Sequence, residues 1–151
     1  MTLLEISAWL MLFVGGLWTG GILIFAVERT NLWRRMPIEQ YSVDFRRSVF
    51  RADPMIPILS VVTGLASAAF AMLRHDDVAR ILAWTGAGLV LLVIVASVTI
   101  AEPINSKFRR LPEGQMPEGA ERYRDLWRRF HAGRTIAALV AFGCLTAAAV
   151  A

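Results

Sequence analysis

Four long stretches without a charged residue constrain this chain more than any other feature. They run over residues 6–27, 55–73, 81–101 and 135–151, and a helix needs about 20 mostly apolar residues to cross a bilayer. The fourth stretch is the shortest and is rich in alanine, so a count of three spans is the main alternative. We predict an all-α integral membrane protein in which residues 1–151 form a single four-helix transmembrane domain.

The distribution of positive charge predicts how these spans are oriented. Six of the 16 lysines and arginines lie in residues 28–53 and eight lie in residues 102–134, whereas only Arg74 and Arg80 occupy the outer turn. Because positively charged connections stay in the cytoplasm, we expect two long cytoplasmic connections, both termini outside, and a bacterial inner membrane. No lysine or arginine precedes the first span, which favours a retained helix over a cleaved signal peptide.

The expected partners follow from this membrane location. The net charge of +4 fits anionic lipid headgroups, and we find no motif that reads nucleic acid. We therefore predict the lipid bilayer and a hydrophobic small-molecule substrate as partners, and no nucleic acid. A homo-oligomer is left open.

The two long connections carry different signals. Residues 36–54 place four apolar side chains near one helical face, which is typical of an interfacial helix along the headgroups. These side chains are Tyr41, Phe45, Val49 and Phe50. Asp53 directly precedes Pro54, which predicts the N-cap of the second span. Residues 121–134 are expected to extend the fourth span as a helix, and no internal sequence repeat is evident.

The topology brings polar residues from separate stretches to one end of the bundle, because the first and third spans end there and the second and fourth begin there. These residues are Glu28, Asp53, Glu102, Asn105, His131 and Arg134. A carboxylate at that depth is costly unless it is paired, hydrated or turned inward. Pro103 can kink its helix and turn Glu102 and Asn105 inward. Trp127 lies one turn before His131 on the same helical face.

This set of side chains fits two kinds of chemistry. Glu28, Glu102 and His131 are suitable ligands for a transition metal such as iron, copper or zinc. Alternatively, His131 is a general base for a phenol or carbon acid, with Glu102 as its partner. Asn105 and Arg134 then stabilise the resulting anion. We expect either no cofactor or a bound iron or copper; haem is disfavoured because His131 is the only histidine near this end.

Structural roles compete with these functional ones. Glu28 can simply pair with a neighbouring arginine, and Arg134 can reach lipid phosphates. In the first span, Gly16 and Gly20 form a GxxxG pattern that favours close helix packing. A second interpretation is that these glycines leave room for a ligand beside two side chains of the same span, Trp18 and Thr19.

Three segments of the chain are similar to a known family. They are VGGLWTGGILIF in the first span, PIN at residues 103–105, and the pattern W-x-x-x-H-x-x-R formed by Trp127, His131 and Arg134. The chain resembles the anthrone-oxygenase-like family of small four-helix membrane proteins over most of its length. The resemblance implies that Asn105 belongs to the site with those three residues. Some members oxidise an anthrone to an anthraquinone with dioxygen. The chain departs from the family pattern at Glu28, where a proline is expected.

We therefore expect a membrane-embedded oxygenase or oxidoreductase acting on a hydrophobic, aromatic substrate of the anthrone or quinol type. The substrate would enter from the lipid into a polar pocket at the cytoplasmic end, and contact Trp18, Thr19 and Trp127. Two rival hypotheses remain: a metal- or haem-binding redox protein of the membrane, and a carrier or assembly subunit without catalytic activity.

Overall fold

The computed structural model describes residues 1–52 and 54–151, and every regular element within them is helical. Two of these elements are short π-helical segments, π1 (Phe25–Arg29) and π2 (Ser97–Ala101). The α-helices are α1 (Leu3–Ile24), α2 (Thr30–Arg35), α3 (Ile38–Ala52), α4 (Met55–Leu73), α5 (Asp77–Ala96), α6 (Glu102–Arg109) and α7 (Ala120–Val150). The predicted N-cap residue Asp53 lies outside the described residues.

Four continuous helices are long and apolar enough to cross a membrane, which confirms the all-α membrane bundle. They are Leu3–Arg35, Met55–Leu73, Asp77–Arg109 and Ala120–Val150. Only 28–33% of the residues in the most apolar window of each helix are buried inside the protein. Most of each window therefore faces outward, as is expected of helices solvated by lipid. The side on which the termini lie stays a prediction from the charge distribution.

Two helices, α1 and α5, begin at the end of the bundle that holds the N-terminus, and side chains cap both of these starts. The Thr2 hydroxyl accepts a hydrogen bond from the backbone N–H of Glu5, and the Glu5 carboxylate accepts one from the backbone N–H of Thr2. The carboxylate of Asp76 similarly accepts from the N–H of Ala79 at the start of α5. These caps satisfy backbone donors that have no partner within the helix.

The four membrane-length helices form a closed ring, in which α1 packs on α4, α4 on α5, α5 on α7 and α7 on α1. The tightest of the glycine contacts joins α5 to α7, where a methyl group added at Gly86 would lie 2.4 Å from Leu145 Cδ2. On α1 there are tight contacts at Gly15 and Gly21, because methyl groups there would lie 3.2 Å from Thr63 and 3.1 Å from Ile56. Gly20, which the GxxxG pattern implicated in packing, has no atom within 4 Å of such a group.

Both π segments interrupt long helices at the end of the bundle that carries the polar residues. In π2 the N–H of Glu102 bonds to the carbonyl of Ser97, five residues back. Pro103 supplies a physical reason, since it has no N–H to donate to the carbonyl of Thr99 and its ring would collide with that carbonyl in a regular α-helix. The wider π turn accommodates the proline and continues directly into α6.

The predicted interfacial helix is α3, which packs across the end of the bundle rather than lying only along headgroups. Tyr41, Phe45 and Val49 are buried in one cluster with Phe108 of α6, whereas Phe50 is 51% exposed. Burial raises the pKa of the Tyr41 hydroxyl, so this phenol stays neutral. The amphipathic face that the sequence predicts is therefore satisfied by protein contacts, and α3 closes one end of the bundle.

Candidate functional site

A cavity of about 440 Å³ lies at the closed end of the bundle. Its volume falls in the range of about 300–1,000 Å³ that is typical of small-molecule sites. Every helical element contributes to its wall, and most of the wall is apolar or aromatic. The aromatic lining consists of Trp18, Phe25, Trp33, Phe45, Phe50 and Trp127. The charged and larger polar side chains of the lining are Glu102, Asn105, Arg109, His131 and Arg134. All four predicted catalytic residues therefore line one cavity.

His131 is fully buried and both of its ring nitrogens have partners. Its Nε2 lies 3.2 Å from the carbonyl oxygen of Ile22, and its Nδ1 lies 2.7 Å from Nη2 of Arg134. A carbonyl can only accept and a guanidinium can only donate, so Nε2 carries the hydrogen and Nδ1 carries the lone pair. The imidazole is therefore neutral, and Nδ1 is its basic atom.

Aromatic contacts hold the histidine and the arginine in place. The imidazole of His131 stacks on the indole of Trp127 with ring centroids 4.8 Å apart and an interplanar angle of 8°. The Arg134 guanidinium lies 5.7 Å from the Trp127 ring and 5.4 Å from the Phe130 ring. Contacts of a cation with ring faces stabilise a charge at the edge of an apolar cavity. The one-turn spacing of these residues along α7 thus produces the contacts that the sequence pattern predicts.

Asn105 joins α6 to α7 through a buried hydrogen bond. Its Oδ1 accepts from the indole Nε1–H of Trp127 at 3.1 Å. An indole N–H can only donate, so the bond assigns the oxygen of the amide to the side facing Trp127. The π2 segment and Pro103 lie immediately before Asn105 in the chain, as expected if they turn its side chain inward.

Glu102 pairs with residues of its own helix rather than with His131. Its Oε1 accepts hydrogen bonds from the hydroxyl of Ser106 and from the guanidinium of Arg109. The side chain of Glu102 is 43% exposed, so this ion pair is partly solvated. Glu102 therefore lines the cavity as the carboxylate of an ion pair with Arg109. Its predicted role as the partner of His131 is not the contact that the structure forms.

The predicted metal site of Glu28, Glu102 and His131 does not form. Glu28 does not line the cavity, its side chain is 55% exposed, and it pairs with Arg29 at 2.9 Å. Within residues 1–52 and 54–151 no group of three His, Cys, Asp or Glu side chains is placed to hold a metal ion. The physical reason is that each of the three side chains has separate partners, and Glu28 faces outward from π1. These three residues do not fit a metal, and the structural role of Glu28 as an ion-pair partner agrees with its contacts.

The three predicted substrate contacts are placed differently from one another. Trp18 and Trp127 line the cavity, whereas Thr19 is buried but does not reach the lining. Since Thr19 follows Trp18 directly, it points about 100° away around the helix. Space for a ligand is therefore present beside Trp18, but Thr19 does not line this part of the cavity.

Several lining residues were not predicted. Arg109 lies seven residues after Glu102, two helical turns along the same face, so this spacing was a usable signal. Trp33 and Phe45 gave no such signal, because they reach the cavity only after α2 and α3 fold across the end of the bundle. Trp33 is fixed there by a 2.6 Å hydrogen bond from Nε1 to Asp44, and by edge contacts with Phe45 and Trp127.

The chain matches one known family. Residues 45–144 match the family model described as Anthrone oxygenase. The matched segment contains the polar residues of the cavity on α6 and α7. No curated protein and no solved structure shows a significant match to this chain.

Proposed function

Because the chain belongs to the anthrone oxygenase family, we propose that it is a membrane-embedded oxygenase that acts on a hydrophobic aromatic substrate of the anthrone or quinol type. One observation carries the proposal: His131, Arg134 and Asn105 converge on one part of a cavity that is otherwise largely apolar and aromatic. Such a cavity solvates a flat aromatic molecule and presents its base and anion-stabilising groups to one region of it.

The substrate reaches the cavity from the lipid. Four lining residues at the junction of α3 and α4 and on π2 are exposed on the surface of the bundle: Phe50, Pro54, Pro57 and Val98. All are apolar, whereas the charged lining residues lie on α6 and α7. A hydrophobic molecule dissolved in the bilayer can therefore enter between α4 and π2 without crossing water.

The reaction begins with proton transfer to His131. Nδ1 holds the lone pair, and the Arg134 guanidinium now donates to it. When substrate binds, this guanidinium moves from Nδ1 toward the substrate, where its positive charge stabilises the enolate or phenolate that forms. The same movement exposes Nδ1 to accept the proton. The amide of Asn105 supports the anion from α6, and the Glu102–Arg109 pair holds that helix face in place.

Dioxygen is the only co-reactant that the oxidation requires. For an anthrone, the carbanion gives one electron to dioxygen, and the two radicals combine to form a C–O bond. The peroxide takes a proton from His131, and loss of the second carbon-bound proton with cleavage of the O–O bond gives the ketone and water. One methylene and one dioxygen thus become one carbonyl and one water.

Oxygen consumption with anthrones and quinols tests the proposed function. We expect His131→Ala to lower the rate about 100-fold or more, because a positioned general base contributes about 10²–10⁴-fold. His75→Ala is the matched control, since His75 lies in the turn between α4 and α5 at the other end of the bundle and should leave the rate unchanged. Equal rates for wild type and His131→Ala would remove His131 from the chemistry.

A further inference from the structure

Trp18 presents a buried hydrogen-bond donor that the proposed oxidation does not use. The side chain is fully buried and lines the cavity. Its indole Nε1–H has no hydrogen-bond partner among residues 1–52 and 54–151. An indole nitrogen can only donate, and buried donors in folded proteins are nearly always paired. This donor is therefore left for an acceptor that residues 1–52 and 54–151 do not supply.

The other two tryptophans of the cavity show what a structural indole does. Nε1 of Trp33 donates to the carboxylate of Asp44 at 2.6 Å, and Nε1 of Trp127 donates to Asn105 at 3.1 Å. Both indoles have internal acceptors that fix their orientation. Trp18 has the same burial and lines the same cavity without an internal acceptor, so its N–H is the exception among the three.

The position of Trp18 separates its donor from the basic nitrogen of the site. Trp18 precedes Ile22 by four residues on α1, which corresponds to about 6 Å along the helix axis. The Ile22 carbonyl is the atom that holds His131. The cavity wall around these two residues is largely apolar and includes Ile56, Val93 and Ile94, which pack in one cluster with Trp18 and Ile22. The cavity therefore offers the unpaired Trp18 donor at one level and its charged groups toward the polar end.

We infer that the Trp18 Nε1–H binds an uncharged oxygen acceptor of the aromatic ligand, a ketone or quinone carbonyl, at the deep end of the cavity. This inference rests on the proposed function for the reaction, but it concerns binding alone. A carbonyl at the deep end orients the opposite part of the ring system toward His131. The site therefore selects aromatic ketones over hydrocarbons of the same shape, and Trp18 is a positioning residue.

The test compares the binding of two flat probes of nearly equal shape, anthraquinone and anthracene, to the protein in lipid nanodiscs. Binding of each probe is measured against empty nanodiscs, so that partitioning into lipid is subtracted. We expect the wild type to prefer anthraquinone about tenfold, the effect of one buried hydrogen bond. Trp18→Phe should abolish this preference while still binding anthracene. Trp9→Phe, which removes an exposed indole that does not line the cavity, should keep it.

Retention of the wild-type preference by Trp18→Phe would overturn the inference. If this variant does not fold, the wild type still decides the question through the ultraviolet resonance Raman band of the indole N–H. Anthraquinone should shift that band and anthracene should not, and no shift with either probe would also overturn the inference. Because neither probe is turned over, these outcomes are independent of oxygen consumption, which alone tests the proposed function.

Discussion

Two hydrogen-bond partners determine which ring nitrogen of His131 carries the hydrogen. The Ile22 carbonyl and the Arg134 guanidinium leave only one assignment of the ring proton, and Trp127 stacks on the ring to hold its plane. The three-residue spacing of His131 and Arg134 could be predicted from the sequence because both lie on one helix. The Ile22 contact could not, because it joins α7 to α1 and depends on how the helices pack.

A prediction at this scale concerns the indole of Trp127. Trp127→Phe removes the donor to Asn105 and leaves Oδ1 without that hydrogen bond. We expect it to lower the free energy of unfolding by about 1–3 kcal/mol and to reduce the oxygen-consumption rate, since Asn105 loses its orientation. Thermal unfolding of the detergent-solubilised protein measures the first effect.

The matched control for this prediction is Trp9→Phe. Trp9 is 55% exposed and stacks on Phe13 of the same helix, away from the cavity. It should leave both stability and rate close to wild type. A Trp127→Phe protein that is as stable and as active as Trp9→Phe would show that the Asn105 bond contributes nothing.

At the scale of elements, the apolar pattern predicted the spans but not how the side chains around them are oriented. Pro103 was a usable signal for an irregular turn, and Asn105 indeed lies buried beyond it. No comparable proline marks π1, and Glu28 emerged on the outside of the bundle. A π turn adds a residue to one turn of the helix and so rotates the residues C-terminal to it. Hydrophobic periodicity at 3.6 residues per turn does not report that rotation.

Close packing of α5 on α7 gives a second prediction. Gly86→Ala would place a methyl group 2.4 Å from Leu145 Cδ2, and Leu145 is fully buried. Overpacking of this kind costs about 1–3 kcal/mol, so we expect a lower unfolding temperature. Gly88→Ala is the control on the same helix, because a methyl group there meets no atom within 4 Å. Equal unfolding temperatures for the two variants would contradict the close approach.

In the whole molecule, the two long interrupted helices end in similar short sequences, although no extended internal repeat is evident. The first continues from π1 into α2 and closes with WRRMP at residues 33–37; the third continues from π2 into α6 and closes with FRRLP at residues 108–112. Each is preceded by the pattern E-x-x-N, at residues 28–31 and 102–105. The two halves of the chain therefore share a short sequence pattern that the lengths of the spans alone do not show.

The two halves use this shared pattern differently. The amide of Asn31 donates to the carbonyl of Val27 on its own helix and is exposed, whereas Asn105 is buried against Trp127 in the cavity. Only the second copy supplies polar residues to the site. The fold class and the clustering of Glu102, Asn105, His131 and Arg134 could be predicted, since both follow from where spans begin and end. The packing of the aromatic face of α3 across the end of the bundle could not be predicted. An amphipathic pattern does not show whether protein or lipid covers the apolar face of a helix.

The most direct test of oxygenase function follows the oxygen atoms. Purified protein is supplied with an anthrone and ¹⁸O₂, and the product is analysed by mass spectrometry, with His131→Ala as the background for spontaneous oxidation. We expect the wild type to form a quinone with one labelled carbonyl for each dioxygen consumed, well above the rate of the variant. Product formation no faster than with His131→Ala, or a new carbonyl without label from dioxygen, would contradict the proposed oxygenase chemistry at this cavity.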